Sequence, residues 1–140
     1  MAINLEDFTS LNDGYAYRQP FDEVYLYNGT GTSSNSSTNI VCCREVVEQI
    51  RRQIGGDSVA VRVSNASGII VLTAGEYENS RAVRTYKKSA TAKISCRGLV
   101  PIMQKLFGKH KYYGFNWRFD AISGGRGRAL VLEPNGRWKD

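Results

Sequence analysis

Asn39-Ile-Val-Cys-Cys-Arg-Glu-Val-Val-Glu-Gln-Ile-Arg-Arg-Gln-Ile-Gly-Gly56 decides the reading of this chain, because it has a counterpart further on. Ala92-Lys-Ile-Ser-Cys-Arg-Gly-Leu-Val-Pro-Ile-Met-Gln-Lys-Leu-Phe-Gly-Lys109 lies at a constant offset of 53 residues. The offset sets Cys43 on Cys96, Arg44 on Arg97, Val47 on Val100 and Gly55 on Gly108, and it sets apolar on apolar at Val46/Leu99, Ile50/Met103 and Ile54/Phe107. Apolar positions at this spacing predict an amphipathic helix of about three turns in each segment. Each helix ends at a glycine suited to a positive-φ stop. A shared period, stop signal and flank indicate an internal repeat.

The flanks extend the match. Glu23–Tyr27 and Asn39–Cys42 read as strands before the first helix, with Ser58–Ser64 and Gly68–Thr73 as a hairpin after it. Ala82–Tyr86 and Thr91–Ser95 are their counterparts before the second helix, followed by Tyr112–Phe119 and Arg128–Leu132. The expected fold is therefore α+β: two tandem strand-strand-helix-strand-strand units forming one antiparallel barrel-like or two-layer domain. Residues 1–21 form an N-terminal arm with Phe8, Tyr15, Tyr17 and Phe21; residues 22–76 form the first unit and 77–140 the second. The polar loop Asn28–Thr38 has no apolar anchor and is expected to be mobile.

Composition narrows the function. With 140 residues and 41% hydrophobic content, the chain suffices for one domain with its own core. It contains no apolar run of transmembrane length, and its first residues lack the basic and apolar regions of a secretory signal. Three cysteines, an odd number, fit a reducing compartment, so the expectation is a cytoplasmic protein with no membrane partner. The net charge of +6 hides a split: residues 1–76 carry five basic and nine acidic side chains, residues 77–140 fourteen basic and four acidic. A half so strongly basic attracts polyanions, DNA first among them.

The candidate contacts follow from that half. Arg84, Lys87, Lys88 and Lys93 belong to the hairpin before the second helix; Arg97, Lys105, Lys109 and Lys111 lie at its start, on it or just after it. Such cations reach phosphate oxygens, while Lys105 and Lys109 also complement the helix dipole. Arg126 and Arg128 sit in the turn Gly124-Gly-Arg-Gly-Arg128, which is either a groove or phosphate contact or a plain solvated hairpin. Arg51 and Arg52 end the first helix. Tyr113, Phe115, Trp117 and Phe119 share a strand face that reads as core. The cysteines read as small buried packing residues. A single histidine, His110, leaves no zinc spacing and no nucleophile-base pair, and the glycine turn lacks the lysine of a phosphate loop. A non-enzymatic protein without metal or cofactor is expected.

The strand Asn39–Cys42, the helix end Arg51-Arg-Gln-Ile-Gly55 and the strands 58–64 and 68–73 that follow resemble the AbrB/MazE swapped-hairpin DNA-binding domain, and Ala92–Ser95 with Gln104-Lys-Leu-Phe-Gly108 offers a second copy. Cys42 and Ser95 stand near the place of a proline in that family. The resemblance implies two interleaved units in one chain and DNA contact through basic residues of the helix and first hairpin. The expectation is thus a small DNA-binding regulator. The alternative is a phage or mobile-element inhibitor of anti-defence type that binds a host protein or an anionic nucleotide. Homo-oligomerisation stays open.

Overall fold

A computed structural model describes residues 4–8, 24–29, 38–85, 91–125 and 127–140. Among the described residues, nine strands form one antiparallel sheet: β1 (Val24–Tyr27), β2 (Asn39–Cys42), β3 (Ser58–Val63), β4 (Ile70–Ala74), β5 (Arg81–Ala82), β6 (Arg84–Thr85), β7 (Ala92–Ser95), β8 (Tyr112–Ala121) and β9 (Arg128–Lys139). Their order is β5-β3-β4-β9-β8-β1-β2-β7-β6. The two strands at the ends of that order, β5 and β6, are separated in the chain by Val83 alone. The sheet therefore curls until its edges meet, and the molecule is a nearly closed barrel. Beside β5, the Asn79 amide extends the pairing of β3: its Nδ2 donates to Val61 O, and its Oδ1 accepts from Val61 N.

Among the described residues, a 3-10 turn, Leu5–Asp7, and two short helices complete the fold. The first, α1 (Arg44–Gln49), widens into a π-helical turn, Ile50–Ile54, closed by the Gly55 N–H donating to Ile50 O. The second, α2 (Leu99–Phe107), stops at Gly108. Gly55 and Gly108 have φ of 84° and 86°, a conformation costly for any residue with a Cβ.

The expectation of an α+β fold built from two tandem strand-strand-helix-strand-strand units is corrected here. The chain forms mostly antiparallel sheet, and its halves do not fold side by side. β1 pairs with β8 from the other half, β5 pairs with β3, and β2 pairs with β7. A half folded alone would leave the edges of β1, β2 and β3 bare; interleaving satisfies them within one sheet.

The pairings carry an internal two-fold relation. In β2·β7, Asn39 faces Ser95 and Cys42 faces Ala92; in β4·β9, Ile70 faces Leu132 and Leu72 faces Leu130. Exchanging the partners maps each register onto itself. Because β2 and β7 are antiparallel and each leads into a helix, α1 and α2 leave from opposite ends of the barrel. Inside lie Val24, Leu26, Ile40, Ile94, Leu72, Leu130, Leu132, Tyr113 and Phe115, closed over by Val46, Ile50, Leu99 and Met103 from the helices. Trp117 and Phe119 pack against this core half-buried, which matches the core reading of the aromatic strand. Among the described residues, no helix is long and apolar enough to cross a membrane.

Candidate nucleic-acid interface

At the α2 end, backbone hydrogen bonds join several segments. Asn28 N donates to Lys111 O, Lys111 N to Lys139 O, and Cys96 N to Thr38 O. Side chains reinforce the joint. The Tyr113 hydroxyl donates to Gly108 O at 2.6 Å and accepts from the His110 backbone N–H at 3.1 Å. His110 Nδ1 lies 2.7 Å from Asp140 Oδ1, and Nε2 lies 3.1 Å from Phe107 O. Trp138 packs its ring 5.0 Å from Phe107 and 5.4 Å from Tyr113, between centroids. Burial raises the Tyr113 pKa above its usual value, only partly offset by the His110 N–H.

At this end stand Arg97, exposed in the turn before α2, Lys105 in the last turn of α2, and Lys109 just beyond it. None of the three makes an ion pair with a described residue. Lys111 lies over the rings of Tyr27 and Tyr112, at 5.9 and 5.8 Å from their centroids. Asp140, held by His110, is the carboxylate among the described residues of this end. On the adjoining wall, Arg84 in β6 faces Lys93 in β7 directly, so two like charges share one outer position.

Arg51, Arg52 and Arg128 lie at the opposite end. Arg51 is 3.9 Å from Asp57. Arg128 donates from Nε to Gln53 Oε1 at 2.7 Å and from Nη2 to Phe119 O at 3.1 Å, so it ties the β8–β9 turn to the π-helical turn. The structure thus brings Arg97, Lys105, Lys109 and Lys111 to one end, sets Arg84 and Lys93 on the wall between the two ends, and separates Arg51, Arg52 and Arg128 from the first group. Lys87, Lys88, Arg126, most of the loop 28–38 and the arm residues Tyr15, Tyr17 and Phe21 lie outside the described residues.

Sequence reasoning missed Arg137 and Lys139. It ended the last strand at Leu132, whereas β9 runs to Lys139 and pairs Trp138 with Tyr113 and Lys139 with Tyr112. The signal was present: past Gly136, polar Arg137 and Lys139 alternate with apolar Trp138, the period of a strand.

The wall opposite β6 and β7 is balanced in charge. Arg62 meets Glu76 at 2.5 Å, and Arg118 bonds both Glu133 and Asp120, which raise its pKa further. Cys42 and Cys96 are buried, and their thiols titrate high: burial pushes Cys96 up to about 12 against the pull of Arg81, and raises Cys42 further. Neither is a poised thiolate. Among the described residues, no three His, Cys, Asp or Glu side chains group as metal ligands. No protein-family model, no curated protein and no solved structure matches the chain.

Proposed function

We propose that the protein binds nucleic acid, duplex DNA in the first instance, through phosphate contacts made by the α2 end of the barrel. One observation carries the reading: Arg97, Lys105 and Lys109 are exposed at one end with no ion-pair partner among the described residues, while Arg128 at the other end and Arg62 and Arg118 on the opposite wall are tied to carboxylates, amides or carbonyls. At that other end Arg51 lies near Asp57, and Arg52 has no ion pair with a described residue. Exposed cations without an ion-pair partner give up no such contact on meeting a phosphate, and they release counterions from the duplex. Helix and hairpin cations also contact DNA in the AbrB/MazE-like domain that the sequence resembles, so this reading makes the protein a small regulator of that kind. It assigns no catalytic residue.

Fluorescence anisotropy on one labelled duplex across a salt series tests it. With about four phosphate contacts, log affinity should fall against log salt with a slope of about −3.6. Replacing Lys105 and Lys109 together with alanine should flatten that slope by about two. Absence of duplex binding even at about 50 mM salt would reject the proposal.

A further inference from the structure

The two ends of the barrel differ at one related pair of positions. Exchanging β4 and β9 in their symmetric register carries Gly68 onto Arg128, and the alignment of the helices carries Phe107 onto Ile54. At the α2 end Phe107 fills its place. A Cβ on Gly68 would stand 2.8 Å from Phe107 Cε2, and the Trp138 ring packs on the same Phe107 ring at 5.0 Å between centroids. At the α1 end, the smaller Ile54 borders open space: a cleft of about 590 Å³ between the π-helical turn, the end of β4 and the β8–β9 turn. The opening by α2, between Asn65, Pro101, Ile102 and Lys105, is about 220 Å³.

Ile54, Val71 and Ile122 give the larger cleft an apolar lining, and Arg62 and Arg128 also border it. Both guanidinium groups are anchored twice. Arg128 is held by Gln53 and Phe119 O; Arg62 donates from Nη1 to Thr73 Oγ1 at 3.1 Å and from Nη2 to Glu76 Oε1 at 2.5 Å. Among the described residues, two of the five N–H donors of each are used, with the plane already fixed. Glu76 offsets one of the two charges, so the cleft keeps a net positive charge.

We infer that this cleft binds a small anion carrying a flat apolar body, of the size and chemistry of a nucleoside monophosphate. The volume lies within the range of small-molecule sites. Preset guanidinium forks suit phosphate oxygens, and the apolar lining suits a base. A bare phosphate would leave that lining uncovered. An extended nucleic-acid strand would meet the Glu76 carboxylate on the cleft border, so a small ligand is favoured over a polymer here. This site is separate from the α2 end, and neither proposal depends on the other.

The test is calorimetric titration of the whole protein with each of the four nucleoside 5′-monophosphates, with the matching nucleosides and inorganic phosphate as separate probes. At least one monophosphate should bind about tenfold more tightly than its nucleoside and than phosphate. Ile54→Phe, which places at this end the residue its counterpart already has, should abolish binding by filling the cleft. Arg62→Gln, a change at an exposed side chain, should weaken it about tenfold and stands independently if Ile54→Phe misfolds. Both variants should leave duplex affinity at the α2 end unchanged. Silence of all four monophosphates, or binding undiminished by both variants, would overturn the inference.

Discussion

The two ends of the barrel are built on related strand registers but have been finished differently. At the α2 end, Phe107, Trp138, Tyr113 and His110 pack into one joint, and the charge above it is almost wholly cationic. At the α1 end the helix loosens into a π turn, a cleft stays open beside Ile54, and arginines alternate with Glu45, Glu48, Asp57 and Glu76. Arg44 pairs with Glu48 and Arg51 with Asp57, so much of that charge is balanced within the chain. A fold with approximate two-fold pairing can thus divide its work: one end is packed with aromatic rings and carries charge outward, the other keeps an open cleft. The division rests on a few side chains, chiefly Phe107 against Ile54 and Gly68 against Arg128.

Truncating the two counterparts should show the largest difference between the ends. Phe107→Ala removes the ring from Trp138 and Gly68 and should cost about 3 kcal/mol. Ile54→Ala, beside an open cleft, should cost about half as much. Urea unfolding of both variants measures this, and equal losses would break the comparison. A smaller effect is expected from glycine. Gly68→Ala meets both a φ of 76° and the Phe107 ring, so it should cost about 2 kcal/mol. Gly124→Ala in the β8–β9 turn has a φ of 84° but nothing within 4 Å, and should cost about 1 kcal/mol from the backbone alone. Thermal unfolding of the pair isolates the ring contact. If the two losses coincide, Phe107 does not press on Gly68 as described.

Much of the local structure was legible. β2 and β7 start and end within a residue of their sequence reading, and both helices stop at the expected glycines. Alternation and the 3.6-residue period report which face of a segment is apolar, and they did so at Ile40, Ile94, Val46 and Met103. They do not report partners. Val24 fits equally well beside a strand of its own half or beside Phe115 of the other, and the long-range pairing that closes the barrel leaves no local trace. The π turn was equally hidden, since Ile50 and Ile54 satisfy a helical period either way. Of the candidate interface, the charge asymmetry was visible from composition. What was not visible was that Arg51, Arg52 and Arg128 stand at the far end from Lys105 and Lys109, because the placement follows from the antiparallel crossing of β2 and β7.

The central claim is that one end of the barrel, and not the other, meets the phosphate backbone. Duplex affinity across a salt series, measured side by side for Lys105→Ala/Lys109→Ala and for Arg51→Ala/Arg52→Ala, tests it directly, with circular dichroism confirming that both variants fold. The account predicts that the α2-end pair flattens the slope by about two while the α1-end pair leaves it within about half a unit of the unaltered protein. Equal flattening by both pairs, or flattening by the arginine pair alone, would contradict it.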